Sequence, residues 1–254
     1  ADGMGGEAHG ELASRIAARL ASAEFARAYL LPALAVPATA VLTDDAHLQS
    51  GQGTVRELGE ALVRAVEQAN NQVRALGERL GQATGTTLTA LAVQGTHAVL
   101  AHVGDSRAYL LHGETLMRLT EDHSLMARLE ALDHPLLHDP AFFMSRSILY
   151  RSLGQEEVAP PDLLELPLNV GDRLLICSDG LWDELDDQTI GVTLASAADP
   201  EPCARQLVEL ANAAGGHDNS TAVVLFVEEQ PADAVEPIAG DTEATVGDDD
   251  ADHG

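Results

Sequence analysis

The sequence changes its hydrophobic period once, near residue 81. That change restricts the chain to folds that stack long helices on short strands. From Leu58 through Leu62, Val66, Ala69, Val73, Leu76 and Leu80, apolar residues recur in steps of three and four, which makes one stripe of an amphipathic helix. Thr54 and Glu57 have capping-box spacing at its start. After Gly81 the apolar runs shorten. Thr87–Val93, Thr96–Val103, Arg107–His112 and Thr115–Leu119 are β-prone and broken by Gln94-Gly95, Gly104-Asp105 and His112-Gly113-Glu114, a pattern that predicts an antiparallel meander. Strands are also expected at Leu163–Leu168 and Arg173–Cys177, around an Asn169–Asp172 turn, and at Ser220–Val227, whose apolar run predicts a central strand. Helices are expected over 7–30, over 124–132 and, as a pair, over 185–214, with Pro200 and Pro202 opening the second of the pair. Residues 33–50 read as a loop and 133–161 as an irregular insert.

Charge narrows the function. The 254 residues carry 41 acidic side chains against 14 basic ones, all of them Arg, for a net charge of −27. Such a chain repels nucleic acid and anionic membranes and attracts cations. Ten of the acidic residues lie in 228–254, which holds no basic residue. That boundary divides a folded domain, 1–228, from an acidic disordered tail or linker, 229–254. The remainder is still at −17, so the tail does not account for the acidity; adaptation to high salt is one reading of it. Two cysteines, Cys177 and Cys203, cannot build a disulfide framework, and a reducing cytoplasm is the expected compartment. No apolar run is long enough to cross a bilayer.

Three aspartates stand at breaks beside apolar segments. Asp2 lies in Asp2-Gly3-Met4-Gly5-Gly6 before a helix, Asp179 follows the run Leu174–Cys177, and Asp218 precedes the last strand. Carboxylates at strand ends can converge at one sheet edge, where they repel one another unless a divalent cation joins them. Oxygen ligands with flanking glycines suit Mg2+ or Mn2+ rather than Zn2+. Asp-Gly is equally a common turn dipeptide, so the case rests on the three sites together with their neighbours.

Those neighbours carry a resemblance. Asp2-Gly3-Met4-Gly5-Gly6 with Gly10-Glu11-Leu12-Ala13-Ser14, then Gly85-Thr86-Thr87, Val103-Gly104-Asp105-Ser106-Arg107, Leu119-Thr120-Glu121-Asp122-His123-Ser124, Cys177-Ser178-Asp179-Gly180-Leu181-Trp182-Asp183 and Gly215-Gly216-His217-Asp218-Asn219 resemble, in order, the motifs of the metal-dependent protein phosphatases (PPM, type 2C serine/threonine phosphatases), with Met4 as in the bacterial branch. The resemblance implies an α+β fold, a four-layer α-β-β-α sandwich of two antiparallel sheets flanked by helices. It implies that Asp2 bridges two Mn2+ or Mg2+ ions, that Asp179 and Asp218 complete one ion and the Gly3 carbonyl the other, and that Asp122 holds a third. It implies hydrolysis of phosphoserine and phosphothreonine in proteins by a hydroxide between the two ions. Neither Cys nor Ser is then needed as nucleophile, and Cys177 reads as core packing. The expected partners are phosphoproteins made by a serine/threonine kinase, with the enzyme acting as a monomer.

The family's opening strands precede the position of Asp2 and cannot be assigned here. Among remaining candidates, Arg146 and Arg151 are placed to meet a phosphosubstrate, Asn219 to support the metal site, and Arg107 to brace the Gly104-Asp105 turn. Asp133 and Asp139 are further third-ion candidates or solvated loop residues. The alternative from another class is a phosphatase-like binding module without turnover, which should have lost some of Asp2, Asp122, Asp179 and Asp218; all four are present.

Overall fold

The computed structural model describes residues 1–4, 7–31, 54–138, 148–155 and 160–229. The predicted 33–50 loop, Asp139, Arg146 and the acidic segment after 229 lie outside the described residues. After the short strand β1 (Gly3–Met4), helix α1 (Glu7–Phe25) runs into a π-helical turn, Ala26–Leu30. Helix α2 is Val55–Leu80, with Thr54 as its cap. The Thr54 hydroxyl accepts from the Glu57 amide at 3.3 Å, and Glu57 Oε2 accepts from the Thr54 amide at 2.6 Å, the predicted capping box. Strands β2 (Gly85–Thr86), β3 (Leu88–Gln94), β4 (His97–Val103), β5 (Arg107–His112) and β6 (Thr115–Arg118) follow. Then come helix α3 (Leu125–Ala131), strands β7 (Asp162–Pro167) and β8 (Arg173–Cys177), the single turn α4 (Asp179–Trp182), helices α5 (Asp187–Ser196) and α6 (Pro200–Ala214), and β9 (Ala222–Phe226).

Two antiparallel sheets, ordered β3-β4-β7 and β6-β5-β8-β9, form the middle of the domain. Period-two alternation along β4 builds two cores at once. Ala98 and Leu100 meet Ala108, Leu110, Leu166 and Leu174 between the sheets. Val99, Ala101 and Val103 face Leu58, Leu62, Val66 and Val73 of α2 and Ala13 and Ala17 of α1. On the far side Tyr109, Leu175 and Cys177 pack against Leu181, Ile190, Leu194 and Leu207. Each fully buried Leu contributes about 2 kcal/mol by removal from water. The buried face of α1 is alanine (Ala13, Ala17, Ala21), which contributes less by burial but lets the helix lie close to α2. These are the four layers the resemblance implies.

The strand order corrects two expectations. The meander is two hairpins on different sheets: β3 pairs with β4 and β5 with β6, whereas β4 pairs onward with β7 and β5 with β8. The chain leaves one sheet for the other at Gly104, whose φ is +116° and whose Cβ, if present, would stand 2.5 Å from the Thr87 side chain; glycine alone tolerates both. The Asn169–Asp172 turn likewise joins β7 in one sheet to β8 in the other. Finally, β9 is not central among the described strands, since it pairs with β8 alone. Its Val223 and Leu225 line a groove with β3 and α1, a cavity of about 470 Å³ bounded also by Phe25, Leu91 and Ile176, while Ala222, Val224 and Phe226 pack against the core of Tyr109, Leu175 and Leu207.

Candidate active site

The sheet-to-sheet corner and the ends of β8 and β9 lie together, and hydrogen bonds between the sequence motifs hold them there. Asp2 is fixed by three bonds: its amide donates to Thr87 Oγ1 at 2.9 Å, and its carbonyl accepts from Thr86 Oγ1 and the Thr87 amide at 2.8 Å. Thr87 Oγ1 is also 2.7 Å from Ser106 Oγ, which ties the Asp2 turn to the corner carrying Asp105. Gly3 lies directly against Gly10 of α1, where a side chain on either glycine would overlap the other's backbone. Asp179 opens α4, and its Oδ1 accepts from the Gly180 amide at 2.8 Å. Ser178 Oγ donates to the Asn219 carbonyl at 3.1 Å and accepts from the Thr221 amide at 3.0 Å; Ser220 Oγ donates to the Gly180 carbonyl at 2.6 Å. The turn holding Asp218 is thereby clipped to the turn holding Asp179.

The result is a set of carboxylates to which no arginine or histidine side chain is hydrogen-bonded among the described residues. The Asp2 and Asp179 carboxyl groups lie within hydrogen-bonding reach of one another. Both are pushed above the usual carboxylate range, first by burial and then by neighbouring negative charge, including that of Asp218. Asp105, absent from the expected ligands, belongs to the same set: it is buried, and burial followed by the charge of Asp179 raises it to about 7. Asp218 is exposed, with its Oδ1 accepting from the Asn219 amide at 2.7 Å. Among the described residues no three acidic, His or Cys side chains already close into a complete ligand cage; Asp2 and Asp179 form the tight part.

The family profile for protein phosphatase 2C matches residues 1–219. The chain belongs to the protein phosphatase 2C family. It is 34% identical over 230 residues to the serine/threonine phosphatase stp of Listeria welshimeri, covering 90% of this chain and 82% of the relative. It is 36% identical to the serine/threonine protein phosphatase PstP of Mycobacterium tuberculosis, covering 98% of this chain and 43% of that longer protein. The crystal structure of PstP superposes with a TM-score of 0.70 at 34% identity, covering 90% of this chain and 86% of that one. A PstP catalytic domain in complex with two manganese ions superposes at 0.69 and 32% identity, covering 89% and 85%. Metal-dependent serine/threonine protein dephosphorylation, with Mn2+ or Mg2+ as cofactor, is the activity of this phosphatase.

The donors suit that cofactor. All are oxygens, as hard divalent cations require, and the upward-shifted carboxyls retain protons that a cation would displace. Other candidates stand differently. Asp122 is buried, but Arg107 holds it from two nitrogens, with Nη2 at 2.7 Å and Nε at 3.0 Å. Arg107 in turn lies 3.5 Å over the Trp182 ring, and Trp182 Nε1 donates to the Asp105 carbonyl at 3.0 Å. Arg107 therefore braces the corner, as expected, and Trp182 holds the backbone of Asp105. Arg151 is paired within the insert and β7: Nη1 donates to Asp162 Oδ1 at 2.8 Å and Nη2 to the Pro160 carbonyl. Asp133 is exposed, at φ +47°. Asn219 contributes its backbone to the Asp179 clip. Cys177 is core, 2% exposed, with burial pushing its thiol to about 12, so no thiolate forms near neutrality. No helix among the described residues is long and apolar enough to cross a membrane.

Proposed function

We propose that Asp2, the Gly3 carbonyl, Asp179 and Asp218 hold the two metal ions of this phosphatase, and that Asp105 rather than Asp122 serves a third. Divalent cations at such a site supply charge compensation to the phosphoryl oxygens and make water acidic enough to act as a nucleophile near neutral pH. The protein's own contribution is placement. Thr86 and Thr87 fix the Asp2 turn, Ser178 fixes Asp179 against Asp218, and Trp182 with Arg107 fixes Asp105. The observation that carries the assignment is the approach of the Asp2 and Asp179 carboxyl groups to within hydrogen-bonding reach of one another, with no arginine or histidine hydrogen-bonded to either among the described residues. Asp122 differs, because Arg107 already holds it through a two-pronged ion pair.

The experiment is Mn2+-dependent hydrolysis of a phosphothreonine peptide, compared with Asp179→Asn. Loss of activity on the order of 10³-fold is expected, with Mn2+ binding weakened in calorimetry. Full activity in that variant would sink the assignment. The substrates are read as proteins phosphorylated by a serine/threonine kinase, met in the cytoplasm by a monomer. Light scattering at working concentration checks the last point.

A further inference from the structure

A second cluster lies behind the Asp105 corner, and nothing in the metal site uses it. His123 is 2% exposed and grips Gly104 twice: its amide donates to the Gly104 carbonyl at 2.8 Å, and its ring Nδ1 accepts from the Gly104 amide at 3.0 Å. A backbone N–H only donates, so Nδ1 is the unprotonated nitrogen and Nε2 carries the hydrogen. Nε2 then donates to Asp162 Oδ2 at 2.9 Å, while Arg151 Nη1 donates to Asp162 Oδ1 at 2.8 Å. Arg151 Nη1 is also 2.9 Å from Nε2. Both of those groups are donors, and the carboxylate between them is what lets them sit together. His102 completes the packing, its ring centroid 4.8 Å from that of His123, with its own nitrogens met by Thr89 Oγ1 and the Glu121 carbonyl.

We propose that Asp162, at the first residue of β7, is a positioning residue for the phosphatase reaction. Through the His123 ring it fixes the Gly104-Asp105 corner from behind. Its carboxylate holds the ring in the tautomer whose Nδ1 accepts from Gly104, and strengthens that nitrogen as an acceptor. The corner is held from the front by Trp182 and Thr87, and Asp162 supplies the third hold. The inference rests on the reading of Asp105 as a metal-site residue.

Four variants of the full chain separate the two ideas: Asp162→Asn, Asp162→Glu, Asp105→Asn and, on the same strand as Asp162, Glu165→Gln as a control. Mn2+ affinity is measured by calorimetry, and Gly104 amide exchange by NMR. Asp162→Asn should weaken the Mn2+ site lost in Asp105→Asn by roughly 10-fold and speed Gly104 exchange. Saturating Mn2+ should restore kcat on a phosphothreonine peptide. Glu165→Gln should change none of these, and Asp162→Glu should recover most of the affinity. If Asp105→Asn weakens Mn2+ binding while Asp162→Asn stays within about twofold of the parent, the positioning role is wrong and the Asp105 reading stands. If neither variant moves Mn2+ binding, the Asp105 reading itself fails. Because the Asp162 side chain is 53% exposed, folding of these variants should survive, and a melting curve for each confirms it.

Discussion

Asp105 and Asp122 lie 17 positions apart, both in motif segments, both next to the sheet-to-sheet corner and both nearly out of solvent. Their electrostatic situations are opposite. Asp122 receives a two-pronged hydrogen bond from Arg107, with the Arg118 guanidinium 3.8 Å away. Asp105 faces Asp179, and its carboxyl is raised to about 7. Burial is common to both and decides nothing. What separates a structural carboxylate from one that calls for a metal is whether the protein itself brings a cation to it. Here the arginine that does so, Arg107, leaves the same corner as Asp105 and reaches past it to Asp122.

The sharpest way to break this contrast is Asp122→Ala. It leaves Arg107, 17% exposed, without its partner, and should destabilise the fold by about 4 kcal/mol in urea titration. A loss below about 1 kcal/mol would place Asp122 with the unpaired carboxylates. Asp105→Asn should do the reverse in EDTA. The folded-state pKa of Asp105 is raised from 3.8 to about 7, so the folded protein binds this proton more tightly than the unfolded chain. Its penalty is absent below pH 4, grows as pH rises toward 7 and is complete above it. The metal-free variant should therefore gain on the order of 2 kcal/mol at pH 8 and nothing at pH 3.5. An equal gain at both values would show that repulsion at Asp105 is not the cause. The smallest effect is expected from Trp182→Phe, which keeps a ring under Arg107 but removes the donor to the Asp105 carbonyl. A loss of about 1 kcal/mol is expected, with Mn2+ affinity falling more than stability alone explains.

Much of the helical framework was legible in the residues, because local signals set it. The capping box at Thr54 and the stripe from Leu58 to Leu76 are satisfied within one helix, and the structure places both as read. The seven longer strands were found to within a residue or two, the two-residue strands Gly3–Met4 and Gly85–Thr86 were not, and neither were the strands' partners. Alternation says which face of β4 is buried, yet β4 is buried on both faces, and short apolar runs carry no label for the sheet they join. Arg151 shows the same limit at the level of a side chain. Its position in the insert suggested a phosphate ligand, and folding brings Asp162 to its Nη1 and the Pro160 carbonyl to its Nη2, neighbours that its sequence position does not show.

The sequence by itself determined most of the helices and strands, the core position of Cys177 and the family, and it singled out Asp2, Asp179 and Asp218 as candidate ligands, because these depend on local periodicity or on motifs that keep their order along the chain. Only the tertiary structure decided that, among the described residues, Arg107 pairs with Asp122 while no arginine or histidine is hydrogen-bonded to the Asp105 carboxyl. Coulomb energy depends on distance in space and on local solvent, and the reach of Arg107 across the corner is a distance that no spacing along the chain expresses.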